Sequence, residues 1–133
     1  MANEANLIRQ PGLKAAADLS AAANQFRAVK MTAANSVNIA GAGEFAIGVL
    51  YNKPKSGVRA EVVVQGTPKL SYGGTVAVGN LLAADASGDF VKTTPAVGNL
   101  DNVLAVALEA GATGEIGSGK WIGQAGGANE AVS

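Results

Sequence analysis

The chain contains no histidine and no cysteine. Their absence excludes Ser-His-Asp and Cys-His catalysis, zinc sites of imidazole or thiolate, haem ligation by His, CxxC redox chemistry and disulfides. Catalysis would rest on carboxylates, Lys, Tyr or Ser. Aromatic residues are scarce, with 3 Phe, 2 Tyr and 1 Trp, and charge is sparse at 15%. Ten basic residues balance ten acidic ones, so the excess positive charge of a general nucleic-acid binder is missing. No apolar run approaches the roughly 18 residues of a membrane helix, and the opening MANEANLIRQPGLK shows no basic segment followed by an apolar core. A soluble chain that meets neither nucleic acid nor membrane is expected.

What remains is small. The 133 residues include 27 Ala and 18 Gly, against 14 Val, 10 Leu and 5 Ile. This length fits one domain with a thin core. Short Val-rich runs punctuated by Gly predict an all-β fold, a small β-barrel or β-clip-like domain with tight turns. Predicted strands are Phe26 to Met31, Ser36 to Ala40, Phe45 to Tyr51 and Arg59 to Gln65, the last two forming a hairpin around Lys53-Pro54-Lys55-Ser56-Gly57. Phe45 to Tyr51 is the best core strand, with Gly48 marking a bulge or a close backbone approach. KLSY, TVAV, LLAAD and DFVKT follow, with Ser87-Gly88 as a two-residue hairpin signal, then Asn102 to Ala110, GEIG and KWIG. The Ala-rich Leu13 to Ala23 favours helix by propensity, but only Leu13 and Leu19 are large apolar residues, so one short turn or irregular chain is expected.

Three motifs invite chemistry and fail their context. Gly114 to Lys120 fits the GxxxxGK of a phosphate-binding loop. Trp121 stands where Ser or Thr should hold Mg²⁺, and a poor helix follows, so a Gly-rich turn between two short strands is the better reading. Asp85-Ala-Ser87-Gly88-Asp89 faintly resembles a calcium loop, but its sixth and twelfth positions are Phe90 and Ala96, which leaves a hairpin turn. Gly41-Ala-Gly43 lacks the third Gly of a dinucleotide fingerprint and precedes a strand. No catalytic, metal or cofactor residues are assigned, and the protein is expected not to be an enzyme. Lys53, Lys55 and Arg59 form a basic cluster at a hairpin tip, either a solvated turn or a patch for an acidic protein surface.

An ordered set of residues resembles the capsid cement or head decoration proteins of tailed bacteriophages. The set runs through Gly41-Ala-Gly43-Glu44-Phe-Ala-Ile-Gly48-Val49-Leu50, Asn52-Lys53-Pro54, Pro68-Lys69-Leu70 and Gly73-Gly74-Thr-Val76-Ala-Val78-Gly79-Asn80-Leu81-Leu82. It ends with Asp85-Ala-Ser87-Gly88 and Asn102 to Ala110, and covers about Ala17 to Ile122. The resemblance implies a small β-domain on the outer capsid surface of a virion, made in the host cytoplasm. It also implies the major capsid protein as partner and a homotrimer or symmetric cluster that joins neighbouring subunits. Residues 1–16 are expected to be an N-terminal arm, 17–123 the β-rich domain and 124–133 a flexible tail. Leu7, Ile8 and Arg9 on the arm, with Lys53, Lys55 and Arg59, are the expected capsid contacts. The rival expectation is a glycan- or polymer-binding module on the virion surface, which Tyr51, Tyr72 and Trp121 would support if clustered on an exposed face.

Overall fold

A computed structural model describes residues 4–94 and 96–123. Eleven strands form two sheets. The strands are β1 (Ala5–Gln10), β2 (Lys14–Ala15), β3 (Ala28–Ala33), β4 (Ser36–Ile39), β5 (Gly48–Leu50), β6 (Val62–Thr67), β7 (Lys69–Ser71), β8 (Leu81–Ala84), β9 (Phe90–Lys92), β10 (Ala105–Ala107) and β11 (Ile116–Trp121). The first sheet has the order β1-β6-β5-β3-β4-β2 and the second β7-β11-β10-β8-β9. All pairings but the parallel β2–β4 are antiparallel. The all-β expectation holds. The barrel does not, because the strands divide into two separate sheets rather than one closed ladder.

One apolar cluster lies between the sheets and joins Val49, Leu70, Tyr72, Leu82, Phe90 and Leu104 with six alanines. Alanine at those positions keeps the layers close, which is how a sequence so poor in large apolar residues still excludes water. A second cluster, including Leu13, Leu19, Val29, Val37, Leu50 and Val62, packs residues of the first sheet against the segment 13–19. That segment is tied in on both sides, because β2 bonds to β4 on one side and to the chain entering β6 on the other: the Ala15 amide donates to the Val58 carbonyl and Gly57 to Ala15.

Residues 5–15 are therefore part of the folded domain, where an arm was expected. β1 pairs with β6, and Leu13 and Ala15 are buried. The expectation missed this because β1 is an edge strand whose side chains are nearly all exposed, so its apolar pattern is faint. The expected tail, 124–133, lies outside the described residues.

The Ala-rich segment gives only a single 3-10 turn at Ala22–Asn24 beside β2. The β5–β6 hairpin forms as expected, and Gly48 is a close approach, since a methyl there would run into the Val63 backbone. Phe45 is 41% exposed, so the core strand is only Gly48–Leu50. Residues 75–78 form no ladder; Val76 makes an isolated bridge to Gly111. The β8–β9 turn has three residues instead of two. Gly88 donates to the Asp85 carbonyl, closing a type I turn, and then takes φ 82. The Gly88 carbonyl accepts from Ala28 of β3, so this tip docks the second sheet onto the first. Beside it Phe26, at φ 70, donates to Leu50 of β5 and accepts from Ser71 of β7. A bulky residue with positive φ is unfavourable alone, and here bonds to both sheets hold it.

Candidate interaction surface

Strand periodicity and register assemble one polar face. Arg59 and Glu61 are two apart on the chain entering β6 and so point the same way. Lys14 is directly opposite Arg59, Tyr51 donates its amide to the Glu61 carbonyl, and Arg9 is opposite Val63, so register places all three beside that pair. An open groove of about 450 Å³ lies there, lined by Arg9, Gln10, Pro11, Arg59, Ala60 and Glu61.

The Glu61 carboxylate sits between the two guanidinium groups, Oε1 at 3.6 Å from Arg9 Nε and Oε2 at 3.2 Å from Arg59 Nη2. Arg9 also lies over the Tyr51 ring, 5.6 Å from its centroid, a cation–π contact worth about 0.5–1 kcal/mol at an exposed site. Tyr51 is in turn fixed from below. Its ring meets Phe26 edge to face at 5.1 Å, and its hydroxyl accepts the Lys69 amide at 2.6 Å. Burial, then a hydrogen bond with Glu4, raises the Tyr51 phenol above its ordinary value, so it stays neutral. Arg9 is thus held in place, whereas Arg59 is 74% exposed and uses one nitrogen on Glu61.

Of the expected contacts, the fold brings Arg9 and Arg59 to one groove. Lys53 and Lys55 are exposed on the neighbouring β5–β6 loop. That loop is tied down where Leu19 donates to the Pro54 carbonyl and Gly57 to Ala15. Beneath it, Asp18 is held below the usual carboxylate range, chiefly by the Ser20 hydroxyl and amide, with Lys55 a minor cause. Ile8 is 51% exposed on β1 and Leu7 is half-buried. Lys14, Glu61 and the supporting Tyr51 were not expected at this site. The Arg-x-Glu spacing at 59–61 is the sequence signal that would have found Glu61.

The other motifs are absorbed into structure. Residues 116–120 of the GxxxxGK match, with Trp121 after them, form the continuous strand β11 rather than a turn between two, paired with β7 and β10. Gly117 is glycine because the Tyr72 ring packs against its backbone. Asp85 Oδ1 accepts the Ser87 and Asp89 amides, and Asp89 pairs with Arg27 at 2.8 Å and accepts Ser71 Oγ. Both carboxylates are occupied in building the turn and the seam. Among the described residues no cluster of three or more acidic groups is placed to hold a metal. Tyr72 is fully buried, Trp121 is 9% exposed against Phe90, and Tyr51 is covered by Arg9 and Phe26. The glycan-binding reading, which needed these three on an exposed face, loses its support.

No family model matches the chain, and no curated protein matches it. Among solved structures, the N base of the head fiber gp8.5 of bacteriophage phi29 superposes with a TM-score of 0.68. The fold is similar to that of this phage head fiber base. The alignment covers 90% of this chain and 98% of the fiber base at 13% identity, so the likeness is one of chain path. It takes in nearly the whole of both molecules.

Proposed function

We propose that this protein is a non-enzymatic structural component of a bacteriophage head. It binds the outer surface of the assembled shell and stabilises it as a decoration, or cement, protein by bridging neighbouring subunits of the major capsid protein. The carrying observation is the fold likeness to a phage head fiber base over 90% of the chain. The ordered motifs of the sequence, which resemble phage head decoration proteins, support the same setting independently. The two sheets, docked through Gly88 and Phe26, make a rigid body suited to transmitting load between subunits.

The mechanism is linkage. A protein that binds the closed lattice and not its separated subunits shifts the equilibrium toward the lattice, and many copies multiply a modest gain at each site. A formal charge of zero permits dense packing of copies without mutual repulsion. The test adds purified protein to undecorated shells of the phage that encodes it. Stoichiometric binding, with increased resistance of the shells to heat or chelator, is expected. Absence of both overturns the proposal.

A further inference from the structure

The charge on the groove face is unequal, although the chain as a whole is neutral. Arg9, Lys14, Lys53, Lys55 and Arg59 lie on it or at its rim, half of the ten basic residues, against the two carboxylates Asp18 and Glu61. Of the other five cations, three are neutralised pairwise, Arg27 by Asp89, Lys30 by Glu44 and Lys69 by Glu4, and the remaining two, Lys92 and Lys120, are exposed outside the face. Lys14, Lys53 and Lys55 make no ion pair among the described residues. A local excess of positive charge is thus built beside a preformed groove.

We propose that this groove is the docking site for an acidic, extended segment of a protein partner. Resting on the reading above, the partner is the shell. Glu61 already shows what the site accepts, a carboxylate between two guanidinium groups. Each arginine carries five N–H donors in a planar fork and gives few of them to Glu61, so further donors remain for a partner's carboxylates. Arg9 is pre-positioned on Tyr51, which reduces the ordering cost of a second pairing. The exposed Lys53 and Lys55 extend the positive rim along the loop, in reach of acidic residues flanking the first.

The same features favour carboxylates over nucleic acid. A dense phosphate polymer would meet Glu61 and Asp18 within the patch, and no aromatic ring lines the groove for base stacking, the nearby Tyr51 being covered by Arg9. Protein carboxylates can be spaced to avoid both acids.

The probe is an octaglutamate peptide titrated into the full chain, followed by amide NMR shifts, with a single-stranded DNA of equal length in parallel. The peptide is expected to shift the amides of Arg9, Gln10, Arg59 and Glu61. Its affinity should fall several-fold between about 50 and 200 mM salt, a range over which surface attraction is progressively screened. Arg59→Glu and the double variant K53E/K55E, all at exposed positions, should each weaken it roughly fivefold or more. K92E/K120E makes the same charge change at exposed residues outside the face and should leave affinity unchanged. Shifts elsewhere, an equal effect of K92E/K120E, or tighter binding of the DNA overturns the inference. On shells, wild-type binding that these charge reversals do not weaken refutes the groove and leaves the cement role standing. Failure of the wild type to bind shells, with the peptide result intact, refutes the cement role instead.

Discussion

Gly117→Ala tests the packing of the second sheet more sharply than any truncation of a large side chain. The residue lies in mid-strand on β11, where glycine is ordinarily unfavourable, and its φ is not positive. On propensity alone, alanine should stabilise by about 0.4–1 kcal/mol, because the unfolded chain loses freedom. The structure predicts the opposite sign. The new methyl would overlap the ring and hydroxyl of Tyr72, which is fully buried. That ring cannot swing away freely, since its hydroxyl donates to the Glu109 carbonyl at 2.8 Å. Overpacking costs about 1–3 kcal/mol, and a displaced hydrogen bond about 1 kcal/mol more. The expected net loss is roughly 2–3 kcal/mol, a sizeable part of the 5–15 kcal/mol typical of a domain. In urea the midpoint should fall by about 1–2 M with the slope unchanged. The cycle with Tyr72→Leu separates the clash from any general intolerance of β11: with the ring gone, G117A should cost at least about 1 kcal/mol less. A change within about 0.5 kcal/mol for G117A, or equal costs in both backgrounds, refutes the reasoning.

Asp89→Asn removes the charge partner of Arg27 in a seam where both side chains are less than a quarter exposed; a loss of about 1–3 kcal/mol is expected in urea unfolding, and a smaller loss once Arg27→Met is also present. Burial raises the Tyr72 phenol to about 12. A group whose pKa is raised on folding stabilises below its unfolded value and loses that contribution as pH rises through the folded one, so the urea midpoint should fall between about pH 10 and 12 while tyrosinate absorbance lags. Glu44 is held below the usual carboxylate range by Lys30 and then by the Gly41 amide, and Asp18 by Ser20. Their contribution is present above the ordinary carboxylate pKa of about 4 and is lost as pH falls through the lowered values. Both are exposed, so Glu44→Gln should flatten the acid limb of the stability curve only slightly.

The strands easiest to read were those carrying large apolar residues between good turn signals. β3 to β6 and β8 to β9 emerge from alternation and from Gly, Pro and Asp punctuation alone. β1 was hidden because it is an edge strand whose side chains, Leu7 apart, are exposed, a pattern no different from loop. GEIG and KWIG looked like two strands because glycine usually breaks one; only tertiary neighbours explain why β11 needs glycines within it, the Tyr72 ring at Gly117 and the Leu70 side chain with the Val106 backbone at Gly119. Val76 and Val78 alternate like a strand yet find no ladder, since an isolated strand pattern cannot specify its partner. At the interaction surface, the basic residues were visible singly. Their convergence was not, because Arg9 and Arg59 meet through the pairing of chain segments fifty residues apart.

The pairing of β1 with β6 also sets an order in time. β1 leaves the ribosome before its partner strand and must wait for residues 62–67 before its ladder can form. At about 5–20 residues per second that wait is roughly 3–11 s. Through this interval the opening segment is an unpaired tether, and the groove between Arg9 and Arg59 does not yet exist. The groove therefore forms only once the β1–β6 ladder can close, about midway along the chain and before the second sheet is complete; on the reading proposed above, a shorter nascent chain has no groove to dock.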